Sequence, residues 1–347
     1  MKKFLLVFLS LVLGIIFFVF ALQKFSWEQI WNSANILSWW QFLLVMFLFL
    51  ISFLISIFRW KFIISSRSKE KVFFWTALKA RVVGFTLSYL TPSVYFGGEA
   101  LRGMILNEES NLDWTTNIFS IIVDKAIDMT VGAMIMLFGL AYILIYFNLP
   151  NWLNLIIWSV VFIWLVSGYL FYSRAFRGKG FFTSLINFFW LNRVGKVKKL
   201  SSNIQDIEHS IYEFVHNTRY LISAFVLAFA GRMFYLCAAW LIITFLQVKV
   251  NIFQVLGFMA VTAIMYFVPV PGSLGIHETS QAIFFNLFGL GGYNGVAFTL
   301  IIRVLQIIGV IIGLSFLFLF QIKVWKHKAF GGLNRFGKKI NDMTSDD

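Results

Sequence analysis

The sequence predicts an all-α integral membrane protein of about six full transmembrane helices plus two oppositely oriented re-entrant helical hairpins, arranged as an inverted repeat. Three observations carry that reading. Of the 347 residues, 60% are hydrophobic and 13% charged, against about 25% charged in a soluble domain. Uncharged apolar runs of about 20 residues, long enough to cross a hydrocarbon core, recur along the chain. Two further apolar stretches are broken by proline and glycine, and the two breaks match in spacing.

The apolar runs place full spans at 4–22, 41–58, 118–147, 153–172, 220–248 and 295–322. The first follows Lys2 and Lys3. It exceeds the usual apolar core of a secretory signal, about 7–15 residues, and so reads as a retained anchor. The broken stretches are 72–101 and 252–290. In the second, Pro269 and Pro271 lie in the run Tyr266 to Gln281, and a helix cannot pass through either unbroken, because proline lacks the amide donor and clashes with the preceding turn. Unwound backbone at membrane depth is tolerated only when buried in protein or lining a watery cavity. In the first, Pro92 stands seven residues before Glu99, as Pro271 stands seven before Glu278; both pairs are 179 positions apart.

Lysine and arginine favour cytoplasmic connections. Lys2 and Lys3, the group Arg59 to Lys71, the connection 173–219 and the C-terminal cations from Lys323 to Lys339 all therefore read as cytoplasmic, leaving only Lys24 and Lys249 outside. With both termini inside, 72–101 starts and ends on the cytoplasmic face, and 252–290 on the outer face. The offset of 179 lays 220–248 over 41–58 and 295–322 over 118–147, each pair running in opposite directions. Residues 1–325 then form one transmembrane domain of two inverted repeats, about 41–147 and 220–322. Inverted repeats with discontinuous helices are a transporter organisation, with sites near the midplane. In the joining connection 173–219, Leu200, Ile204, Ile207, Ile211 and Phe214 follow helical spacing, which suits a helix over 193–217 lying on the cytoplasmic surface. Residues 326–347 are read as a cytoplasmic tail, disordered from 338. The expected location is the cell (inner or plasma) membrane.

The net charge of +14 follows the ends of the spans, which argues for membrane orientation and against nucleic acid. The single cysteine, Cys237, excludes an internal disulfide and a cysteine-based metal site. No metal or other cofactor is expected.

Ionisable groups at membrane depth cost at least about 2.5–3.5 kcal/mol each on insertion scales and mark candidate sites. Here they are Lys79, Arg81, Glu99, Arg102, Asp124, Lys125, Asp128, Arg232, His277, Glu278 and Arg303. Asp124 and Asp128 share a helix face, and Lys125 has the spacing to pair with Asp128. Lys79 and Lys125 read as charge compensation near the cytoplasmic end. Glu99 and Glu278 each open a helix, where the dipole stabilises a carboxylate. Gly97, Gly98, Gly272 and Gly275 would free backbone amides at the same places to bind an anion. Arg81, Arg102, Arg232 and Arg303 are the groups to grip a phosphate, since the guanidinium fork binds it through two nitrogens. For His277, packing or hydrogen bonding is favoured over proton relay. With Pro92 and Pro271 at the breaks, these residues form the candidate translocation site. The partners implied are the bilayer and a phospholipid or other anionic or zwitterionic lipid; a homo-oligomer is compatible with these features.

The segments Arg81…Leu90-Thr-Pro92…Gly97-Gly-Glu-Ala-Leu-Arg102, Asp124-Lys-Ala-Ile-Asp128 and Pro269-Val-Pro-Gly-Ser-Leu-Gly-Ile-His-Glu278 resemble the transmembrane domain of lysylphosphatidylglycerol synthase/flippases over roughly 1–325. The resemblance implies two re-entrant hairpin subdomains and lipid translocation. The chain departs from that pattern in carrying Asp124-Lys125 where Glu-Arg is commoner. It also stops after its last span without a soluble aminoacyl-transferase domain, so synthase activity is not expected. A lipid flippase or transporter is the leading reading. The alternatives are an intramembrane transferase acting on a lipid-linked substrate, and a non-catalytic partner in a membrane assembly.

The topology is directly testable. With Cys237 replaced, single cysteines at Asn251 and Asn294 are expected to label from outside intact cells and one at Ser201 is not. External labelling at Ser201 would overturn the orientation and the inverted repeat with it.

Overall fold

Long apolar runs without proline fold into long helices, and the ends fall where polar side chains satisfy the first free amides. In the computed structural model, residues 12, 15–19, 27–91, 97–147, 151–188, 201–266 and 268–344 are described, and no strand occurs among them. The helices are α1 (Trp27–Asn35), α2 (Trp39–Ser65), α3 (Phe74–Leu90), α4 (Glu99–Glu109), α5 (Trp114–Tyr146), α6 (Asn151–Phe176), α7 (Phe181–Phe188), α8 (Ser201–His216), α9 (Thr218–Phe245), α10 (Ile252–Met265), α11 (Ile276–Leu287) and α12 (Gly292–Thr344). Asp113 caps α5 by accepting from Thr116 N at 2.8 Å. Asn251 and Gln254 cap α10 reciprocally, each hydrogen bond 2.9 Å long. Both are the side-chain-to-amide bonds that free N-terminal donors require.

Five helices are long and apolar enough to cross a bilayer: α2, α5, α6 from Ile157, α9, and α12 as far as Gln321. This is an all-α integral membrane fold. The expected sixth span, 4–22, is described only at 12 and 15–19, which are helical; its remainder lies outside the described residues, as does 193–200 of the expected amphipathic helix. The rest of that helix is α8, whose Ile207, Ile211 and Phe214 are buried.

Both proline-containing stretches are broken helices, α3 with α4 and α10 with α11, and the arms of each pack on one another. The second arm of the first runs on to Glu109 rather than ending at 101. The four arms have 17, 11, 14 and 12 residues, so at 1.5 Å per residue each is shorter than a hydrocarbon core of about 30 Å.

Three features differ from expectation. Helix α1 was not foreseen in the sequence; it buries Ile30 and Ser33 while Trp27 and Trp31 stack outside with ring centroids 6.3 Å apart. Helix α7 is likewise additional. The segment read as a disordered tail is helical to Thr344. No proline follows Pro271, and once a span has nucleated a helix each further residue adds a hydrogen bond at small cost.

The packing is reciprocal. Helix α2 lies along α9, while α3 packs on α12 and α10 packs on α5. The first arm of each broken pair therefore packs against the long helix that follows the other pair. Both contacts are close because one partner is glycine. A Cβ at Gly139 of α5 would overlap the Leu256 carbonyl oxygen of α10, and one at Gly313 of α12 would overlap Thr86 Oγ1 of α3. Small residues are what permit close helix approach where lipid gives apolar faces no reason to associate. Asn294, in turn, accepts from Ser33 Oγ at 2.6 Å in a buried contact. That makes the exposed Asn251 the better reporter of sidedness.

Gly139→Val and Gly313→Val are each expected to lower the melting temperature of the detergent-solubilised protein by several degrees, since overpacking costs about 1–3 kcal/mol or more. An unchanged melting curve in either variant would show that these helices do not approach as described.

Candidate functional site

Helix α5 carries two carboxylates one turn apart on its inner face, and four arginines from four other helices converge on them. Asp124, 1% exposed, accepts from Arg59 Nε of α2 at 2.9 Å and from Arg102 Nη2 of α4 at 2.8 Å, and also pairs with Arg81 of α3. Asp128 accepts from Arg59 Nη1 at 3.1 Å and from Arg232 Nη2 of α9 at 3.3 Å. Arg59 thus bridges both acids. Such a layout satisfies charges that neither lipid nor an apolar core would tolerate alone.

The surroundings fix these side chains. The Arg102 guanidinium lies 3.6 Å from the centroid of the Trp60 ring, a cation–π contact. Trp60 is oriented by donating its Nε1–H to Ser120 Oγ at 3.1 Å. Asn117 Nδ2 donates to the Gly103 carbonyl at 2.6 Å, holding α4 on α5. Gly98 N donates to Ser88 Oγ at 3.0 Å and so ties the start of α4 to α3. Gly97 sits against Thr91, where a Cβ would collide with its side chain. Pro92 lies outside the described residues.

At the periphery Lys125 Nζ donates to Glu99 Oε1 at 2.8 Å. The spacing had suggested Asp128 as its partner. Asp128 instead faces Arg59 and Arg232, and Lys125, next to Asp124 in sequence, is turned about 100° away around the helix. Lys79 pairs with Glu109 at 3.2 Å, a cation balanced within the first broken pair.

The second centre is built around α11. Glu278 is fully buried. Its Oε2 accepts from Gly275 N at 2.7 Å and its Oε1 accepts from Arg303 Nε of α12 at 2.6 Å. Arg303 Nη1 also donates to Tyr89 Oη at 3.0 Å and to the Gly272 carbonyl at 3.3 Å. The turn that makes this possible starts with Pro271 in a single 3₁₀ turn and passes through positive φ at Gly272 (57°) and Gly275 (75°), conformations that a side chain disfavours. A Cβ at Gly272 would also come within 2.9 Å of the Tyr89 ring. Beside it His277 Nε2 shares a hydrogen bond of 3.1 Å with Thr262 Oγ1, which also accepts from Gln281 Nε2 at 2.8 Å.

The sequence candidates therefore fall into two groups. Arg81, Glu99, Arg102, Asp124, Asp128 and Arg232 form the first, with Gly97 and Gly98 at its edge; Pro271, Gly272, Gly275, His277, Glu278 and Arg303 form the second. Tyr89, on the same helix as Arg81, reaches the second group. The amide of Gly275 at the α11 N-terminus is taken by Glu278, and Glu99 in the first turn of α4 is engaged by Lys125, so both helix starts hold carboxylates of their own chain.

Two residues escaped the sequence reading. Arg59 sits with Lys61 and Arg67 in the cationic group that marks the cytoplasmic end of its span, yet it is 2% exposed. The usable signal was its helix face, since Ile63 one turn on is apolar. Tyr89 carried none beyond its place before the first break.

A mostly apolar crevice is lined by Met129, Met136, Trp164, Met259 and Tyr266, with Arg232 among its walls.

The UPF0104 membrane protein MJ1595 of Methanocaldococcus jannaschii is 22% identical over 309 residues, covering 82% of this chain and 87% of its own. A UPF0104 membrane protein of Methanothermobacter thermautotrophicus is 20% identical over 233 residues, 65% of this chain and 69% of its own. No solved structure matches. A family model of the lysylphosphatidylglycerol synthase transmembrane region matches residues 7–313, and the chain, a multi-pass membrane protein, belongs to that family.

Proposed function

We propose that the protein is a membrane lipid flippase, moving a polar, phosphate-bearing headgroup between leaflets through its charged interior while the acyl chains stay in apolar surroundings. The observation that carries this reading is the convergence of Arg59, Arg81, Arg102 and Arg232 on two carboxylates beside a broken helix pair. Guanidinium groups are suited to phosphate oxygens, and Arg232 also lines a mostly apolar crevice.

The architecture supports it in a second way. On this proposal the broken pairs are re-entrant hairpins entering from opposite faces, within two inverted repeats, about 41–147 and 220–322, and both termini are cytoplasmic. Reciprocal packing of α3 on α12 and α10 on α5 is what a two-fold axis in the membrane plane would generate. Asp124 and Arg303, 179 positions apart, each bind the second arm of their own hairpin, through Arg102 and Glu278. The signs are exchanged between the two. The first centre would then receive the headgroup. The Glu278–Arg303 pair would hold the second hairpin closed on itself and on Tyr89.

Two measurements test this. Arg102→Lys keeps the charge but loses the planar fork and the broad contact with Trp60. It is expected to insert normally and to move a tail-labelled phospholipid in reconstituted vesicles at least about tenfold more slowly. A wild-type rate would sink the phosphate grip and leave Arg102 as scaffold. Glu278→Gln leaves Arg303 buried without its counter-charge. Breaking such a pair costs about 3–5 kcal/mol, so this variant should insert but melt earlier and transport poorly. Adding Arg303→Gln should recover much of the melting temperature. Full activity of Glu278→Gln alone would reduce the carboxylate to a helix-capping charge.

A further inference from the structure

Among the described residues of the two centres, the ionisable side chains do not balance. The second centre is neutral, Arg303 against Glu278, and at the periphery of the first Lys125 is matched by Glu99. What is left is Arg59, Arg81, Arg102 and Arg232 against Asp124 and Asp128. Four guanidinium groups face two carboxylates, an excess of two positive charges in the protein interior.

The excess sits where donors are also left over. Arg59 Nη2 and Arg102 Nε are buried and have no hydrogen-bond partner among the described residues. Their side chains are 2% and 7% exposed. A buried donor without an acceptor is unfavourable, and at a charged group more so. Two such donors, on two arginines that already share one carboxylate, call for a further anionic acceptor with several oxygens. The centre is also graded in access: Arg81, Arg232 and Asp128 are 16%, 24% and 32% exposed. A ligand would enter on that side, where Arg232 also lines the apolar crevice, and meet the more deeply buried Arg59 and Arg102.

We propose that the headgroup this protein carries is net anionic: a phosphodiester or phosphomonoester with no attached amine, taken up by the Arg59–Arg81–Arg102 centre. This rests on the flippase reading and narrows it. A zwitterionic headgroup would bring a cationic amine within a few ångströms of a surplus of arginine. A headgroup of net positive charge, such as an aminoacylated one, would be repelled further. At an effective dielectric constant of about 20, one unit charge misplaced by about 5 Å changes a binding constant more than tenfold.

The test uses the full-length wild-type protein in vesicles, with three tail-labelled lipids of like acyl chains: phosphatidylglycerol, phosphatidylcholine and lysylphosphatidylglycerol. Protein-dependent translocation is expected to be at least about tenfold faster for phosphatidylglycerol than for either of the others. Arg81→Gln, which removes one of the two excess charges, should shrink that ratio several-fold. Equal rates for the three lipids, or a faster rate for the choline or lysyl lipid, would overturn the charge assignment and leave the flippase reading standing. If none of the three is translocated, the flippase reading fails and this inference with it. A last arm separates a lipid headgroup from a free anion of the same chemistry. Vesicles loaded with radiolabelled inorganic phosphate are expected to retain it, and protein-dependent release would reassign the centre to a soluble anion.

Discussion

Asp124 has both oxygens committed, to guanidinium groups that arrive on three different helices. An arginine at membrane depth is unfavourable by about 2.5–3.5 kcal/mol even on the mildest scale, so α2, α3 and α4 each carry a residue that is out of place until α5 lies between them. Apolar faces do not supply that specificity, because lipid tails are as apolar as the side chains they would replace. The charges therefore decide which helices meet and in which register, and the glycines at the close contacts let the backbones follow. The network need not add net stability, since apolar residues of similar size often do as well as a buried ion pair. What it adds here is a choice of partners and, through its surplus of arginine, a field of one sign inside the protein.

The second centre uses the same geometry with the signs reversed. A residue on the long helix engages the second arm of the preceding broken pair in both cases, Asp124 with Arg102 and Arg303 with Glu278. Only the first has more cations than anions, since Arg303 is matched one-to-one by Glu278. Glu278 has both oxygens occupied, and Arg303 reaches the turn at Gly272 and the Tyr89 hydroxyl besides. One centre carries surplus charge and the other is matched within its own chain, a difference that symmetric spacing in the sequence could not reveal.

Much of the fold was legible because the bilayer leaves few options. Uncharged runs of about 20 residues had to be helices, and Pro271 and its glycines had to interrupt one. The candidate site was legible for the same reason: charged residues such as Asp124 and Arg303 within apolar runs have no bland position to occupy. Arg59 was not, because it adjoins Lys61 and Arg67 at the end of its run, and position along the chain does not tell an inward arginine from an outward one. Lys125 paired with Glu99 rather than Asp128 because a partner across helices outcompeted one on its own helix. Helix α1 is short, and its single buried apolar side chain, Ile30, is too little periodicity to read. The helical extension to Thr344 owes its form to the span before it and not to any pattern of its own.

Helix α3 ties these observations together. It carries Arg81, which pairs with Asp124, and Tyr89, which accepts from Arg303. Eight residues of helix separate them, about 12 Å, without proline or glycine other than Gly84, itself closed in by Arg102 and Gly98. A helix so confined moves as a rod. A shift of α3 that changes the distance from Arg81 to Asp124 therefore also moves Tyr89 against Arg303 and the Gly272 turn. A ligand acts on a conformational equilibrium only through its differential contacts with the two states, and an anion accepting from Arg81 would compete directly with Asp124. The two centres are in this sense one mechanical unit, with the arginine surplus at one end and a charge-neutral pair at the other.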